Sequence, residues 1–409
     1  GWGLFIKVLI LLVIFKEIWE VVLSLANLKY SLNTKNVPDI LSDIMSAENF
    51  EKAKRYLKDR TMFSAVSTLV NLIVTLVFLL KGYPFLEKIV SNLTANVYLQ
   101  ALLFAGIYGL IDFLIDLPFK LFSTFVIEQK YGFNTTTLKT FIFDSLLSIV
   151  LIVTIATPIL IGSMWFLTHF TIWWWQLSIL VFLFLLFFSY IQPILIAPLF
   201  YKFTELKDGE LKEKLKKLLT KSGVKVPNIY VMNASKRTKK QNAYLTGIGK
   251  ARRLVLYDNI LKQTDDEILA VVAHELGHHA HRHIAKLIAI SSISTTLVLL
   301  FSNFVYLYLF QIQPFGISKP YTVIFYTFTF ISALIYFVEP LLNYLQRKME
   351  YEADGYSAKI TENPDYIISA LKKLVKENLS NPNPLPLYKI WYYNHPAPEE
   401  RIKHLLNLK

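Results

Sequence analysis

The chain has 409 residues, of which 54% are hydrophobic and 15% aromatic, and this composition excludes an ordinary water-soluble protein. Its formal net charge is +13, but the cations are spread over loops and helices without a recognisable nucleic-acid-binding module, so we predict no nucleic-acid partner. The absence of cysteine excludes disulfides, thiolate metal ligands and a cysteine nucleophile, which leaves histidine and carboxylate side chains as metal ligands.

Seven stretches each hold close to the roughly 20 apolar residues that a hydrocarbon core of about 30 Å requires. The predicted spans are 2–25, 61–80, 97–117, 143–166, 172–195, 285–310 and 322–345. The first contains Lys16, Glu17 and Glu20, whose helical spacing suits a helix that faces a polar interior. Asp112 and Asp116 in the third span indicate residues that line a cavity or, alternatively, a proton pathway.

Basic residues determine the predicted orientation in the membrane. They are concentrated in the loop 29–60, the insert 196–284 and the tail 346–409. The positive-inside rule therefore places the N-terminus outside or in a lumen, and the insert and tail in the cytosol, where their cations can meet anionic membrane lipids. The lack of cysteine favours a prokaryotic source, and hence the cytoplasmic membrane, over the endoplasmic reticulum membrane of a eukaryote.

The spans divide the chain into four predicted regions. These are 1–195 with spans one to five, 196–284 as a cytosolic insert, 285–345 with spans six and seven, and 346–409 as a cytosolic C-terminal segment. The predicted fold is therefore predominantly α, a polytopic membrane protein that carries a small cytosolic α+β domain.

The insert combines a helix with a small sheet. Its pattern predicts an amphipathic helix over 208–222 and strands at 229–232, 243–245 and 254–257, the last two forming a hairpin. An edge strand of such a sheet can bind an extended peptide backbone by strand addition. Because this sheet directly precedes a metal-binding helix, a peptide bound to its edge strand would be held close to the metal.

The metal-binding pattern is His274-Glu275-Leu276-Gly277-His278, in a helix whose start is marked by a capping box from Thr264 to Glu267. His274 and His278 lie one turn apart on one helix face, so their imidazoles can bind one Zn²⁺ per chain. Glu275 projects beside the metal and is the predicted base that takes a proton from a zinc-bound water. This is the chemistry of a zinc peptidase. His281 lies on the same stripe, but a fourth ligand would close the site, so we place it at the rim.

The third ligand is predicted just after span seven. A helix there places Arg347, Glu350 and Asp354 on one face, with Glu352 about 200° round the axis. We expect Glu350 to bind the zinc and Asp354 to buttress a zinc-bound histidine from behind. An exposed helix of paired charges is the alternative. Further along the tail, His395 and Arg401 are candidates to donate to the oxyanion that develops on an attacked carbonyl.

Six groups of residues spread along the chain form a recognisable combination. They are Ile127 to Asn134; Ile196 to Phe200; Ser235-Lys236-Arg237 with Asn242-Ala243-Tyr244; His274 to His278 with His283; Glu350 to Asp354; and His395-Pro396 with Arg401. Together they resemble the type I CAAX prenyl proteases, seven-span zinc metalloproteases that trim prenylated proteins. The resemblance covers about residues 60–409.

This resemblance implies a ring of seven helices around a large water-filled chamber, capped by a cytosolic zinc domain. It implies that His274, His278 and Glu350 bind zinc, that Glu275 is the base, and that Asp354 supports the ligands. It places Asn242, Ala243 and Tyr244 on the strand that binds substrate, with His395 and Arg401 near the scissile bond. The implied substrates are prenylated or membrane-proximal proteins that lose their last three residues, and we expect the protein to act as a monomer.

Two alternative functions are consistent with parts of the sequence. A membrane-protein quality-control peptidase of the HtpX-like kind shares the zinc motif but has about four spans, so the span count argues against it. A polytopic transporter or channel with an incidental metal site is suggested by Asp112 and Asp116. Zinc stoichiometry and chelator-sensitive peptide cleavage distinguish these classes.

Overall fold

The structure, a computed structural model, describes residues 3–226 and 228–409, so Trp2 at the start of the first predicted span lies outside it. Long helices dominate the first 200 residues and 283–360. In the described residues the α-helices are α1 Leu4–Leu32, α2 Ala47–Val77, α3 Tyr83–Leu93, α4 Val97–Phe122, α5 Leu138–His169, α6 Trp173–Ile191, α7 Ala197–Phe200, α8 Glu210–Ser222, α9 Asp265–Ala280, α10 His283–Ile312, α11 Pro320–Tyr336, α12 Glu339–Ile360, α13 Pro364–Glu377, α14 Pro386–Tyr392 and α15 Pro398–Leu406.

In the described part of the chain, five helical segments are long and apolar enough to cross a bilayer. They are Ala47–Leu93, Val97–Glu128, Leu138–His169, Trp173–Phe200 and His283–Ile312. A sixth is obtained if α11 and α12, bent by 53° at a short break, are counted as one span. The predicted count of seven is therefore not exact, because α1 carries several charges and the predicted span 322–345 is broken between α11 and α12.

Cavities lie between the long helices. A cavity of about 650 Å³ between α4, α5, α6 and α11 is lined by apolar side chains such as Leu151 and Phe325. Another, of about 350 Å³, reaches Lys16 and Glu17 of α1, which form an ion pair of 3.2 Å. α1 packs along α2 and α11, and Lys16, Glu17 and Glu20 are buried or half-buried among the helices, as their spacing indicates.

A four-stranded sheet lies in the described part of the insert. Its strands are β1 Phe203–Glu205, β2 Asn228–Met232, β3 Ala243–Thr246 and β4 Arg253–Tyr257, in the order β1-β2-β4-β3. β2 and β4 are parallel, and the other pairs are antiparallel. The three predicted strands are confirmed, whereas β1 was not predicted, since three residues carry too little pattern. β3 is at one edge of the sheet and lies against α9.

α9 is buried between the sheet and α12. The predicted capping box is confirmed, with Thr264 accepting from the Glu267 amide and Glu267 accepting from the Thr264 amide. Leu276 and Val272 are fully buried against the sheet, and burial of each such side chain contributes about 1.5–3 kcal/mol. On the other side, the Ser357 hydroxyl of α12 donates to the Ala270 carbonyl at 2.7 Å. The position of α9 is therefore fixed from both sides.

The carboxylate of Glu267 anchors α9 to α13, and its contacts predict a pH dependence of stability. Burial alone raises the pKa of Glu267, but hydrogen bonds from Lys373, Ser369 and Thr264 outweigh it and lower the pKa to about 2. The stabilisation is therefore complete above about pH 4.5 and is lost as the pH falls toward about 2. We expect Glu267→Gln to lower the free energy of unfolding at pH 7 by on the order of 3 kcal/mol.

Denaturation of the two proteins at several pH values checks this prediction. The difference in stability should shrink between pH 4.5 and 2, and Glu377→Gln, at an exposed carboxylate of α13, should show no such trend. A deficit of the same size at pH 7 and pH 3 would show that the ionised form of Glu267 is not the stabilising one.

Candidate metal centre and active site

α9 and α12 bring two imidazoles and one carboxylate together. His274 Nε2 lies 2.9 Å from a Glu350 carboxylate oxygen, His278 Nε2 lies 3.1 Å from the other, and the two Nε2 atoms are 3.2 Å apart. Among the described residues, these three form one of two groups whose donor atoms all lie within 4.8 Å of one another. Two histidines and one carboxylate are the donor set of many catalytic metal sites, which keep a further position open. The residues present therefore fit a metal ion.

His274 is oriented from behind by a buried ion pair. Its Nδ1 atom is 2.7 Å from an oxygen of Asp354, a side chain with no exposed surface. Arg401 of α15 forms a bidentate pair with the same carboxylate, through Nε at 2.8 Å and Nη2 at 2.7 Å. An Nδ1–H that donates to Asp354 leaves the Nε2 lone pair for a metal. Asp354 thus lies where the sequence predicts it, directly behind a candidate ligand.

Asp354 and Glu350 both affect the protonation of His274. Burial alone lowers the pKa of this imidazole, but the charge of Asp354 and hydrogen bonds with Asp354 and Glu350 outweigh burial and raise the pKa to about 10. Protons and a metal ion therefore compete for His274. Metal binding must displace a proton there, which makes the affinity depend on pH.

Glu275 lies half-buried beside the two histidines on α9. Burial raises the pKa of its carboxyl group, and the negative charge of Glu350 adds to this effect. A raised pKa brings a carboxylate closer to the range in which it can accept and release a proton near neutral pH. The environment of Glu275 is therefore suited to general acid–base work.

Gly277, between the two histidines, permits the close approach of α9 and α12. A Cβ atom at this position would lie 3.0 Å from the Ala353 Cα and 3.0 Å from the Tyr356 Cβ, so the helices would have to separate. We predict that Gly277→Ala destabilises the protein by about 1–3 kcal/mol and weakens metal binding, because Glu350 moves away with α12.

Thermal unfolding and metal content of the purified variant check this effect. Gly355→Ala is the matched control on α12, because a Cβ there meets no atom within 4 Å, and it should stabilise the protein slightly, by about 0.4–1 kcal/mol. Equal stability and metal content in the two variants would show that the contact at Gly277 is not needed.

The predicted substrate-binding residues lie at the start of the edge strand. Ala243 and Tyr244 pair with Leu256 and Val255 of β4, and one edge of β3 has no neighbouring strand within the described sheet. The side chain of Asn242 is exposed, although its amide oxygen accepts a hydrogen bond from the Ala243 N–H at 2.9 Å. This strand therefore offers both backbone groups and a side chain to an extended peptide beside α9.

Arg401 is bound to Asp354 through two of its five N–H groups, one on Nε and one on Nη2. Both Nη1 hydrogens and the second Nη2 hydrogen remain to donate elsewhere. His395, in the loop before α15, has an exposed ring whose Nδ1 lies 3.3 Å from the Pro396 carbonyl. The sequence also missed a role for Arg347, whose Nη1 donates to the carbonyls of Lys389 and Tyr393 and so holds the segment that leads to His395.

The second group of candidate ligands in the described residues is His281, His283 and Glu352. It was not predicted as a site, although the signal was present in two histidines two residues apart. Glu352 lies, as predicted, away from His274 and His278. His283 Nδ1 is 2.9 Å from His278 Nδ1, so the two groups are in direct contact.

Comparisons with known proteins agree with this geometry. Residues 27–202 match the family described as CAAX prenyl protease N-terminal, five membrane helices, and residues 205–409 match peptidase family M48. The chain is 31% identical to CAAX prenyl protease 1 of Saccharomyces cerevisiae, over 91% of this chain and 89% of the yeast protein. It is 33% identical to the CAAX prenyl protease 1 homolog of Arabidopsis thaliana, over 98% and 97%.

The fold has a counterpart among solved structures. The crystal structure of Ste24p from S. mikatae matches with a TM-score of 0.90 at 30% identity, covering 99% of this chain and 100% of that one. The resemblance to the CAAX prenyl proteases that the sequence motifs indicated is confirmed along nearly the whole chain. The protein therefore belongs to the CAAX prenyl protease group of peptidase family M48 and is a multi-pass membrane metalloprotease.

Proposed function

We propose that this protein is a zinc endopeptidase that removes the last three residues of prenylated proteins with a C-terminal CAAX sequence. The observation that carries the proposal is the convergence of His274, His278 and Glu350, with Glu275 beside them, in a chain whose relatives are named CAAX prenyl proteases. Prenylated or membrane-proximal C-terminal peptides are thus the proposed substrates.

The three converging side chains are the proposed zinc ligands, and one ion per chain satisfies them. Zinc there would act as a Lewis acid on the scissile carbonyl and make water a better nucleophile at neutral pH. Glu275 takes the proton from the attacking water as the oxygen adds to the carbonyl carbon. It then delivers this proton to the amide nitrogen as the C–N bond breaks.

The remaining predicted residues have supporting roles. Asn242, Ala243 and Tyr244 bind the substrate backbone as an added strand along β3, with the Asn242 side chain available to hydrogen-bond a peptide group. His395 is the proposed donor to the developing oxyanion. Arg401 acts chiefly through Asp354, since two of its nitrogens hold that carboxylate against His274.

The proposed orientation follows the distribution of basic residues. The N-terminus lies outside or in the lumen, and the site and the C-terminus lie on the cytosolic side, next to anionic lipids.

The four regions bounded at 195, 284 and 345 remain a prediction. All proposed ligands come from one chain, which favours a monomer as the active unit.

The isoprenoid is expected to increase the rate of cleavage. An isoprenoid tail contributes about 0.8 kcal/mol per buried CH₂, and the apolar cavity of about 650 Å³ and the bilayer both offer such burial. Burial of only two such groups corresponds to about tenfold in kcat/KM. We therefore expect a farnesylated CAAX peptide to be cleaved after the prenyl-cysteine at least about tenfold faster than the unmodified peptide.

Tripeptide release from the two peptides at equal concentration, measured by mass spectrometry, tests the proposed substrate class. Equal rates of cleavage of the two peptides would show that the isoprenoid does not contribute to substrate binding or cleavage. If zinc-replete protein cleaves neither peptide but hydrolyses unrelated unfolded membrane proteins, the function is quality control.

A further inference from the structure

We propose that His281, His283 and Glu352 form a second, inhibitory site for a divalent transition-metal ion, coupled to the first site through the contact between His283 and His278. Each of the three residues offers one ligand atom, and these atoms lie within 4.8 Å of one another. This second site is distinct from the group formed by His274, His278 and Glu350.

The distances in the second site suit metal ligation. His281 Nδ1 and His283 Nε2 each lie 3.3 Å from the same oxygen of Glu352. Ligands at about 2.0–2.1 Å from a tetrahedral zinc ion are separated by about 3.3–3.4 Å. Both nitrogens are therefore spaced from the carboxylate as ligands of one ion would be, and without an ion the His283 Nε2–H donates to the same oxygen.

The backbone brings the two histidines together at the junction of α9 and α10. Arg282 has φ 55°, in the left-handed region that side chains rarely adopt, and the chain turns sharply there. The rings of His281 and His283 stack with centroids 5.4 Å apart and an interplanar angle of 15°. The side chains of His281 and Glu352 are 42% and 37% exposed, so an ion can reach them from solvent, whereas His283 is buried.

The position of one proton couples the second site to the first. When His278 binds a metal through Nε2, its only N–H is on Nδ1, and this group donates to His283 Nδ1 at 2.9 Å. His283 then carries its own proton on Nε2. A second ion needs the lone pair of His283 Nε2, so the proton of His283 must move from Nε2 to Nδ1. The Nδ1–H groups of His278 and His283 would then face each other, and neither could accept a hydrogen bond.

Occupation of the second site therefore removes the hydrogen bond that orients His278. Loss of such an outer partner typically lowers metal affinity or activity by about 10- to 100-fold. Because coupling between binding sites is reciprocal, the first ion must weaken the second by the same factor. We expect one ion to bind tightly and a second to bind more weakly and inhibit.

Zinc titration with three proteins tests the inference. The predicted inhibition rests on the proposed peptidase function, because it is measured as peptide cleavage. The number of bound zinc ions is measured directly and does not depend on that function. Equilibrium dialysis of the wild type should show a tight equivalent and a second, weaker one, with peptide cleavage falling as the second binds. His281→Ala should retain the first equivalent and basal activity, and should need at least about tenfold more zinc for half-inhibition. His279→Ala, which changes a neighbouring histidine outside the site, should behave like the wild type.

A thiolate provides a spectroscopic signature of the second site alone. The chain contains no cysteine, so His281→Cys introduces the only thiol, and its thiolate can replace the lost imidazole as a ligand. With Co²⁺, this variant should develop a thiolate-to-cobalt charge-transfer absorption as the second equivalent binds. The inference is overturned if the wild type binds a single equivalent at all zinc concentrations, if zinc inhibits His281→Ala and the wild type equally, or if His281→Cys gives no such absorption.

Discussion

Replacement of Glu275 by glutamine should lower peptide cleavage by about 100- to 10,000-fold while one metal ion per chain remains bound. Glutamine has the same shape but cannot accept a proton from the attacking water. The ligand set is unaffected, because His274, His278 and Glu350 are unchanged and converge independently of the Glu275 side chain. The rate of tripeptide release and the metal content of the purified variant measure the two effects separately.

Glu377→Gln provides the matched control for this substitution. It makes the same chemical change at an exposed position on α13 and should retain wild-type turnover and metal content. Near wild-type turnover by a fully metallated Glu275→Gln protein would assign the proton transfer to another group. Loss of the metal in this variant would show instead that Glu275 contributes to metal binding.

Replacement of Glu350 by alanine should abolish tight metal binding, whereas replacement of Glu352 should not. The two carboxylates are two residues apart on α12, but Glu350 lies 2.9 and 3.1 Å from the Nε2 atoms of the paired histidines, and Glu352 contacts His281 and His283. Removal of one of three ligands leaves two imidazoles, which is too few for a stable site. Each variant therefore acts as the control for the other.

Metal analysis in a His281→Ala background, where the second site lacks a ligand, after equilibration with one equivalent of zinc distinguishes the two carboxylates. We expect less than about one tenth of the wild-type zinc in Glu350→Ala and close to the wild-type amount in Glu352→Ala, since even outer partners are typically worth 10- to 100-fold in metal affinity. The opposite order of zinc contents would mean that the third ligand is Glu352.

Local periodicity explains why much of the candidate site could be predicted from the sequence. His274 and His278 are one helical turn apart, and the capping box at Thr264 marks the start of their helix, so both features depend on neighbours in sequence. The choice of Glu350 over Glu352 followed from helical phase alone. Asp354, one turn after Glu350, was predicted for the same reason and lies against His274.

Features that depend on distant residues or unusual backbone could not be predicted in this way. The bidentate pairing of Arg401 with Asp354 joins α15 to α12, and no local pattern encodes it. The second site depends on the left-handed conformation of Arg282, a residue type that gives no signal for such a turn. The span count failed where hydropathy was ambiguous, in the charged helix α1 and at the bend between α11 and α12.

The account depends most on the claim that His274, His278, Glu350 and Glu275 form the centre that cleaves the peptide. The most direct measurement is tripeptide release from a farnesylated CAAX peptide by protein stripped of metal with a chelator and then titrated with zinc. We predict no cleavage by the stripped protein and a linear recovery that reaches its maximum at one zinc ion per chain. Undiminished cleavage by the metal-free protein, or by Glu350→Ala that binds no zinc, would contradict the account.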